Sequence, residues 1–379
     1  MSAHLRQLLD QFDATLPLAR ASTIPSSWYT DAEWYELERR ALFGNVWQAV
    51  ARCEQLREPG SYLTCDLAGE PLALVTDAAG TTRAFSNVCR HRAGLVLTEP
   101  AGQVTKLRCR YHGWTYDLTG QLRGMPEFDG VENFCRAQHG LVELALARWG
   151  LWYWVHVAPP TLPLSAFLAP LPEMLPLAEL EPMRCVDRRC YVMDCNWKVF
   201  IDNYLDGGYH VNTVHPGLAS VLDYQEYRTR VFEYCSMQSS PVQPPNRDDA
   251  EAVFTSTVRA GKQAAYWWIF PNFMINMYEG LMDTNLVLPL GPEKCCVIYD
   301  FFFTNTEGEE TQRFIADSMA VTHQVQMEDQ IISEEVQRGL RSRLYRSGRF
   351  SVRREEPVYH FQRLLARWLH DGLQQGQDD

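Results

Sequence analysis

Two short runs, Cys89-Arg90-His91 and Cys109-Arg110-Tyr111-His112-Gly113-Trp114, constrain this chain more than any other feature. Seventeen residues lie between His91 and Cys109, so the fold has to bring two separate loops face to face if the four side chains act together. One C-x-H and one C-x-x-H can clamp a compact inorganic group from two sides. Two thiolates on one iron and two imidazoles on the other describe a mixed-ligand [2Fe–2S] cluster. Neutral imidazole donates less charge than thiolate, so such a cluster accepts electrons more readily than an all-cysteine one. Zinc also takes two thiolates and two imidazoles, but zinc spacings place the two cysteines together and the two histidines together. Gly94 and Gly113 stand where backbone has to approach the cluster, which glycine allows without steric cost.

The chain around these loops reads as short strands and turns. Tyr62-Leu63-Thr64, Leu72–Val75, Arg83-Ala84-Phe85 and Trp152–Val157 are β-branched or aromatic runs, and they define an all-β region over 46–158. Residues 1–45 read as helices, with Leu5, Leu8, Leu9 and Phe12 at helical spacing and a second start at Thr30-Asp31. They are expected to pack on the C-terminal domain. Pro159-Pro160-Thr161-Leu162-Pro163 opens a linker over 159–184. An α+β domain over 185–379 follows, with a long helix from about Thr311 to Gly339, a helix near His360–Leu369 and a polar tail Gln374–Asp379.

Composition bounds the function. A length of 379 residues allows two or three domains with a large core. A net charge of −12 argues against nucleic acid, whose binding needs clustered Lys and Arg, and mildly favours a cationic substrate or a basic partner. The first twenty residues carry Arg6, Asp10, Asp13 and Arg20 and no uninterrupted apolar stretch, so no signal or transit peptide is expected. No apolar run is long enough to span a membrane. The eleven cysteines then read as metal ligands and reduced thiols in a cytoplasmic protein.

A second concentration of chemistry lies between Asn196 and Pro216, where His210 and His215 accompany Asp202 and Asp206. Two histidines and a carboxylate are the ligand set of a non-haem Fe(II) site with open positions for dioxygen. On one regular helix, residues five apart diverge by about 140°. Pro216 disfavours the α conformation for His215, which places that residue past the helix end, where its ring can turn back. Asp206, four before His210, is expected on the same helix face. Asp329 falls in line with Val325, Ile332, Val336 and Leu340. A carboxylate in an apolar stripe has to be paired, ligated or protonated, whereas Glu328 points about 100° away; a surface-facing Asp329 is the alternative. His323 reads as a polar surface residue or as one that supports a metal ligand from behind, and His139 and His156 as structural ones.

Together these segments resemble Rieske-type non-haem iron oxygenases, the ring-hydroxylating oxygenase alpha-subunit family, and most closely its choline-monooxygenase branch. Asp206-Gly207-Gly208-Tyr209-His210, Gln326-Met327-Glu328-Asp329, the run Tyr266–Asn276, and the ending Glu335–Leu340 with Ser347–Phe350 carry the likeness over nearly the whole chain. Neither ligand loop has the extra cysteine found in respiratory Rieske proteins. The resemblance implies an α+β chain: an all-β Rieske [2Fe–2S] domain held by Cys89, His91, Cys109 and His112, then a catalytic domain with a helix-grip-like antiparallel sheet and a long C-terminal helix. It implies mononuclear iron on His210, His215 and Asp329, electrons from NAD(P)H through a separate partner, a ferredoxin or a flavin/iron–sulfur reductase, and a homo-oligomer, expected to be a trimer, in which Asp206, or alternatively Asp202, bridges one subunit's cluster to the next subunit's iron. It implies hydroxylation of a quaternary ammonium substrate, choline to betaine aldehyde hydrate. Aromatic-ring hydroxylation or O/N-demethylation is the alternative. Trp267, Trp268, Phe270, Phe273 and Tyr278 are expected to supply aromatic faces for the ammonium, with at most one of the adjacent tryptophans facing the pocket.

Overall fold

In the computed structural model, which describes residues 3–243, 250–259 and 261–375, the chain forms two compact units. One is Phe43–Leu164; the other joins Met1–Leu42 to Ser165–Asp379.

The first unit is built on an antiparallel seven-stranded sheet. Its order is Gln48–Arg52, Trp152–His156, Glu143–Trp149, Thr82–Ser86, Glu70–Thr76, Ser61–Leu67 and Ala101–Gln103. Alternation along the strands separates two cores. Leu72 and Leu74 join Leu63 and Val155 on one face, and Ala73 and Val75 join Phe85, Trp114 and Tyr116 on the other. The second core also contains Cys89 and Cys109, so the cysteine ends of both loops rest on packed side chains. A small sheet of Leu107–Arg108, Thr115–Tyr116 and Leu122–Gly124 carries the second loop.

The other unit holds a second seven-stranded antiparallel sheet. From Arg228–Val231 it runs as a meander through Cys235–Pro241, Gln263–Ile269, Phe273–Tyr278, Leu281–Gly291 and Lys294–Phe303, and Arg184–Met193 closes it beside the last strand. Helices Trp197–Leu205, Glu309–Leu340 and Glu356–Gln375 belong to the same unit. The last helix takes in Gln374 and Gln375 of the expected tail, and 376–379 lie outside the described residues. The proline-rich stretch 159–184 is no extended tether: prolines keep its helices short, yet Leu168, Leu171, Leu175 and Leu180 are buried.

Asp31 caps the helix Ala32–Leu37 by accepting from the Trp34 N–H at 2.9 Å. Two turns on, Glu38 is fully buried and pairs with Lys198, also fully buried, at 2.6 Å. The indoles of Trp34 and Trp197 donate to its two oxygens. Burial raises the Glu38 pKa and lowers that of Lys198 despite their mutual attraction. A buried ion pair is costly unless its remaining hydrogen-bonding capacity is met. Here the Glu38 oxygens are met by donors from both segments the pair joins, while among the described residues the Lys198 ammonium has only the carboxylate and the nearby Tyr29 and Trp197 rings.

Candidate functional site

The two loops of the first unit close in the same way. Cys89 N–H donates to Gly94 O at 2.9 Å and Ala93 N–H to Cys89 O at 3.1 Å; Cys109 N–H donates to Trp114 O at 2.9 Å and Gly113 N–H to Cys109 O at 3.1 Å. The left-handed residue is the fourth after each cysteine, Ala93 (φ 56°) and Gly113 (φ 74°). Gly94 therefore serves a different purpose from Gly113: a Cβ there would lie 3.2 Å from Cys109 Sγ. Both cysteines are buried, and the Tyr116 hydroxyl lies 3.2 Å from Cys89 Sγ. Burial raises the Cys89 thiol pKa, and Cys109 adds to the rise. The imidazoles lie toward the surface: His91 stacks on Trp114 at 4.8 Å, and exposed His112 stands 4.6 Å from it, ring to ring. Burial, with His112 and Arg92, lowers the His91 pKa, which favours the neutral ring that ligates metal. Two inner thiols and two outer imidazoles fit a cluster with one thiolate-bound and one imidazole-bound iron.

In the second unit, Asn196 caps the helix Trp197–Leu205 by accepting from Lys198 N–H at 3.0 Å. The helix stops at Asp206. Gly207 (φ 71°) and Gly208 (φ 70°) then reverse the chain, and a Cβ on Gly207 would lie 2.3 Å from the Arg354 carbonyl oxygen. The reversal returns the Tyr209 and His210 N–H groups to the Asp206 carboxylate at 2.9 and 3.0 Å, and His210 Nδ1 to it at 2.7 Å. Asp206 and His210 do meet, but not across the shared helix face expected from their spacing: the helix ends first, and the double-glycine turn makes the contact. His215, between helices Val211–Val214 and Pro216–Ala219, is non-helical (φ −119°, ψ 78°), and its ring turns back to 4.9 Å from that of His210.

His210 Nε2 and His215 Nε2 are 3.1 Å apart, and Asp329 Oδ1 lies 3.1 Å from the latter and 3.8 Å from the former. His215 Nδ1 faces Glu328 at 2.7 Å, as His210 Nδ1 faces Asp206. Hydrogen bonds from both Nδ1 positions direct both Nε2 lone pairs to one point. Two lone pairs and a carboxylate oxygen cannot satisfy one another; a cation at that point satisfies all three, and the set matches a two-histidine, one-carboxylate iron site. Asn203 Nδ2 donates to Asp329 Oδ1 at 2.6 Å. Burial pulls the His215 pKa down, but Asp329 and Glu328 outweigh it and the net shift is upward, so proton and metal compete for that nitrogen.

Asp329 faces inward, though not within an apolar stripe. Of the expected stripe Leu340 is buried but Val336 is 45% exposed, and the buried face of Glu309–Leu340 is apolar at Ile315, Val321 and Leu340 and polar at Ser318, Thr322, Gln326, Asp329, Ser333 and Gln337. Gln326 accepts from the Tyr299 hydroxyl at 2.9 Å, and Gln337 from Asn196 N–H at 2.9 Å. This helix lies against hydrogen-bonding groups, so an apolar-periodicity rule reads its orientation about one residue off. Asp202 is engaged elsewhere: the Tyr29 hydroxyl and Gln362 Nε2 donate to it, and burial, opposed by those bonds, pushes its carboxyl up to about 7.

A cavity of about 110 Å³ opens beside His210, His215 and Asp329. Its aromatic wall is Phe200 with Tyr204, Tyr227, Tyr266, Tyr278 and Tyr299. Gln238, Tyr266, Asn276 and Asp283, paired in register on four adjacent strands, form one row of its floor. Of the five aromatic residues expected here, only Tyr278 lies on this wall. Strand alternation turns Trp267 away from Tyr266, to stack on Phe232. Trp268 shares the face of Tyr266 but packs on Phe361 at 5.5 Å; Phe270 stacks on Trp368, and Phe273 is buried away from the cavity wall. Sequence reading missed the tyrosine wall, Arg259, Asp283 and the Glu328 contact. The alternation of Tyr266 with Trp267 was the one available signal.

Residues 46–135 match the Rieske [2Fe-2S] domain, and residues 180–371 match the ring hydroxylating alpha subunit (catalytic domain). The chain is 40% identical to choline monooxygenase, chloroplastic, of Arabidopsis thaliana, covering 95% of this chain and 86% of that protein. It is 28% identical to the carnitine monooxygenase oxygenase subunit of Escherichia coli (strain K12), covering 93% and 95%. A solved quaternary ammonium Rieske monooxygenase, described with carnitine oxidation and inter-subunit electron transfer, superposes with a TM-score of 0.81 at 26% identity, covering 93% of this chain and 98% of that one.

Proposed function

Because the chain belongs to the ring-hydroxylating alpha-subunit family of Rieske oxygenases, we propose that it is the oxygenase component of a two-component monooxygenase acting on a quaternary ammonium compound. Proteins of this family carry a [2Fe–2S] cluster and non-haem iron and draw electrons from a separate reductase. When bound, the two metal groups supply electron storage and dioxygen activation. Applied to choline, the reaction consumes O2, two electrons and two protons, and yields betaine aldehyde hydrate and water. That product is the intermediate of betaine biosynthesis.

The observation that carries this reading is the tyrosine-walled cavity ending on His210, His215 and Asp329. A trimethylammonium group cannot donate hydrogen bonds and is held by aromatic faces. In this reading Cys89 and Cys109 hold one cluster iron, His91 and His112 the other, and His210, His215 and Asp329 the mononuclear iron. Asn203 and Glu328 fix the orientation of Asp329 and His215. Asp206 holds His210 and carries electrons from a neighbouring subunit's cluster in a trimeric ring, each interface being the same. None of the eleven cysteines is in a disulfide, which supports a reducing compartment such as the cytoplasm. Among the described residues no helix is long and apolar enough to cross a membrane.

The test is turnover of the iron-loaded protein with dioxygen and a chemical reductant or a reductase. Choline or another quaternary ammonium compound is expected to be consumed with formation of the hydroxylated product. Hydroxylation of a simple aromatic ring, or demethylation of an uncharged ether or amine, with every quaternary ammonium compound untouched would overturn the reading.

A further inference from the structure

At one side of the cavity, two opposite charges face the same space without touching. Arg259 follows the helix Ala250–Val258 and is 3% exposed. Its guanidinium donates to Ser318 Oγ at 2.9 Å, to Thr322 Oγ1 at 2.6 Å and to Val258 O at 3.3 Å, and lies 4.9 Å from the centre of the Tyr278 ring. Asp283 is 4% exposed and accepts from Asn276 Nδ2 at 2.7 Å. Among the described residues neither one forms an ion pair within 4.0 Å. Both line the cavity. Thr322 precedes Asp329 by seven residues on one helix, so the Arg259 anchor stands about 10 Å along the helix axis from the metal-ligating carboxylate.

A buried charge without a partner costs several kcal/mol. If Arg259 and Asp283 served only to neutralise each other, contact would be the stable arrangement. Instead Thr322 lies between them, bonded to the guanidinium and acting on the Asp283 carboxyl. Burial raises that carboxyl's pKa and the attraction of Arg259 opposes the rise, yet the two do not close into contact and both remain at the cavity wall. Three of the five guanidinium N–H groups are used by the bonds above, which leaves donors for a further acceptor. A lone cation placed here meets the attraction of Asp283 and the repulsion of Arg259 together. A ligand bearing both charges satisfies both: its carboxylate takes the guanidinium donors, and its ammonium lies against Asp283 and the tyrosine faces.

We propose that Arg259 and Asp283 determine substrate choice in this cavity, and that they select a quaternary ammonium compound that also carries a carboxylate over choline. The inference rests on the quaternary ammonium reading above and sharpens it to a charge class.

Calorimetric titration of the iron-loaded protein in the absence of reductant tests it without turnover. The ligands are γ-butyrobetaine, choline and the uncharged choline analogue 3,3-dimethylbutan-1-ol. The native chain is expected to bind γ-butyrobetaine at least about tenfold more tightly than choline. Arg259→Gln is expected to lose about tenfold for γ-butyrobetaine while choline binding holds or improves, and Arg259→Lys to lose less. Asp283→Asn, an independent variant should Arg259→Gln fail to fold, is expected to weaken both charged ligands and leave the uncharged one unchanged. Unaltered cluster absorption and iron content establish that each variant is folded. Choline binding as tightly as γ-butyrobetaine to the native chain, or Arg259→Gln weakening both alike, overturns the charge-pair assignment alone. If no quaternary ammonium compound binds, the functional reading falls and this inference with it.

Discussion

The two candidate metal sites hold their imidazoles in opposite ways. In the first unit His91 and His112 lie near the surface among aromatic rings, Trp114 and Tyr111, and among the described residues neither has a carboxylate partner. In the second, His210 and His215 each give Nδ1 to a carboxylate, and His215 is only 2% exposed. The first site takes its negative charge from Cys89 and Cys109 only when they ligate as thiolates, whereas the second is ringed by the carboxyl groups of Asp206, Glu328 and Asp329. Stacked rings near solvent leave an edge open for electron exchange without tying the imidazoles to proton acceptors. Carboxylate-backed rings are more basic ligands, suited to retaining one exchangeable ion beside a reaction that water would spoil.

The sharpest way to break this comparison is to damage one site and inspect the other. Asp329→Ala is expected to abolish turnover and mononuclear iron while the visible absorption of the cluster persists; Cys109→Ser should do the reverse. Iron and sulfide counts with a visible spectrum decide it, and a single substitution that empties both sites would show that they are not independent. The proposed electron route adds a mixing test. Cys109→Ser and His210→Ala chains, each inactive alone, should regain part of the activity once subunits exchange, and confirmed exchange without activity would place electron transfer within one chain.

Smaller effects sharpen the role of the carboxylates. Glu328→Gln is expected to weaken iron binding by about 10–100-fold, as read by competition with a chelator, with the cluster spectrum unchanged. Gly207→Ala strains a left-handed position and presses on Arg354, so a loss of roughly 1–3 kcal/mol or more is expected in thermal unfolding. A further effect, read only through its pH dependence, concerns Asp202. Its carboxyl is pushed up to about 7 by burial, so the folded chain keeps a proton that the unfolded chain releases near its ordinary value. The associated stability is full below about pH 4 and is lost as pH rises through about 7. Asp202→Asn should flatten the dependence of melting temperature on pH across that window.

The two regions also differ in how far they could be read before any coordinates. The cluster loops are local: four candidate ligands within 24 residues, each set by its own turn, so residue order already points to the chemistry. The strands around them announce themselves by alternation. The candidate iron site is assembled from a broken helix and a second helix more than a hundred residues later; the three side chains that meet there were legible, while the reasons for their placement were not. The double-glycine reversal at Gly207 and Gly208, not a shared helical face, delivers Asp206 to His210. The cavity wall was legible least. Tryptophans draw attention by size, but the strand carries Tyr266 on the cavity face, with Trp267 turned to the other side.

The inward face of the Glu309–Leu340 helix has a consequence for precision. An apolar stripe can slide by a fraction of a turn and still find grease, because dispersion contacts are interchangeable. Gln326 meets Tyr299, Gln337 meets the backbone of Asn196, and Ser318 and Thr322 meet Arg259, so each has a specified counterpart. A slip by one residue would forfeit all of them at once. The helix therefore behaves less like a packed rod than like a key with four cuts, and Asp329 is delivered to the histidines at a single depth.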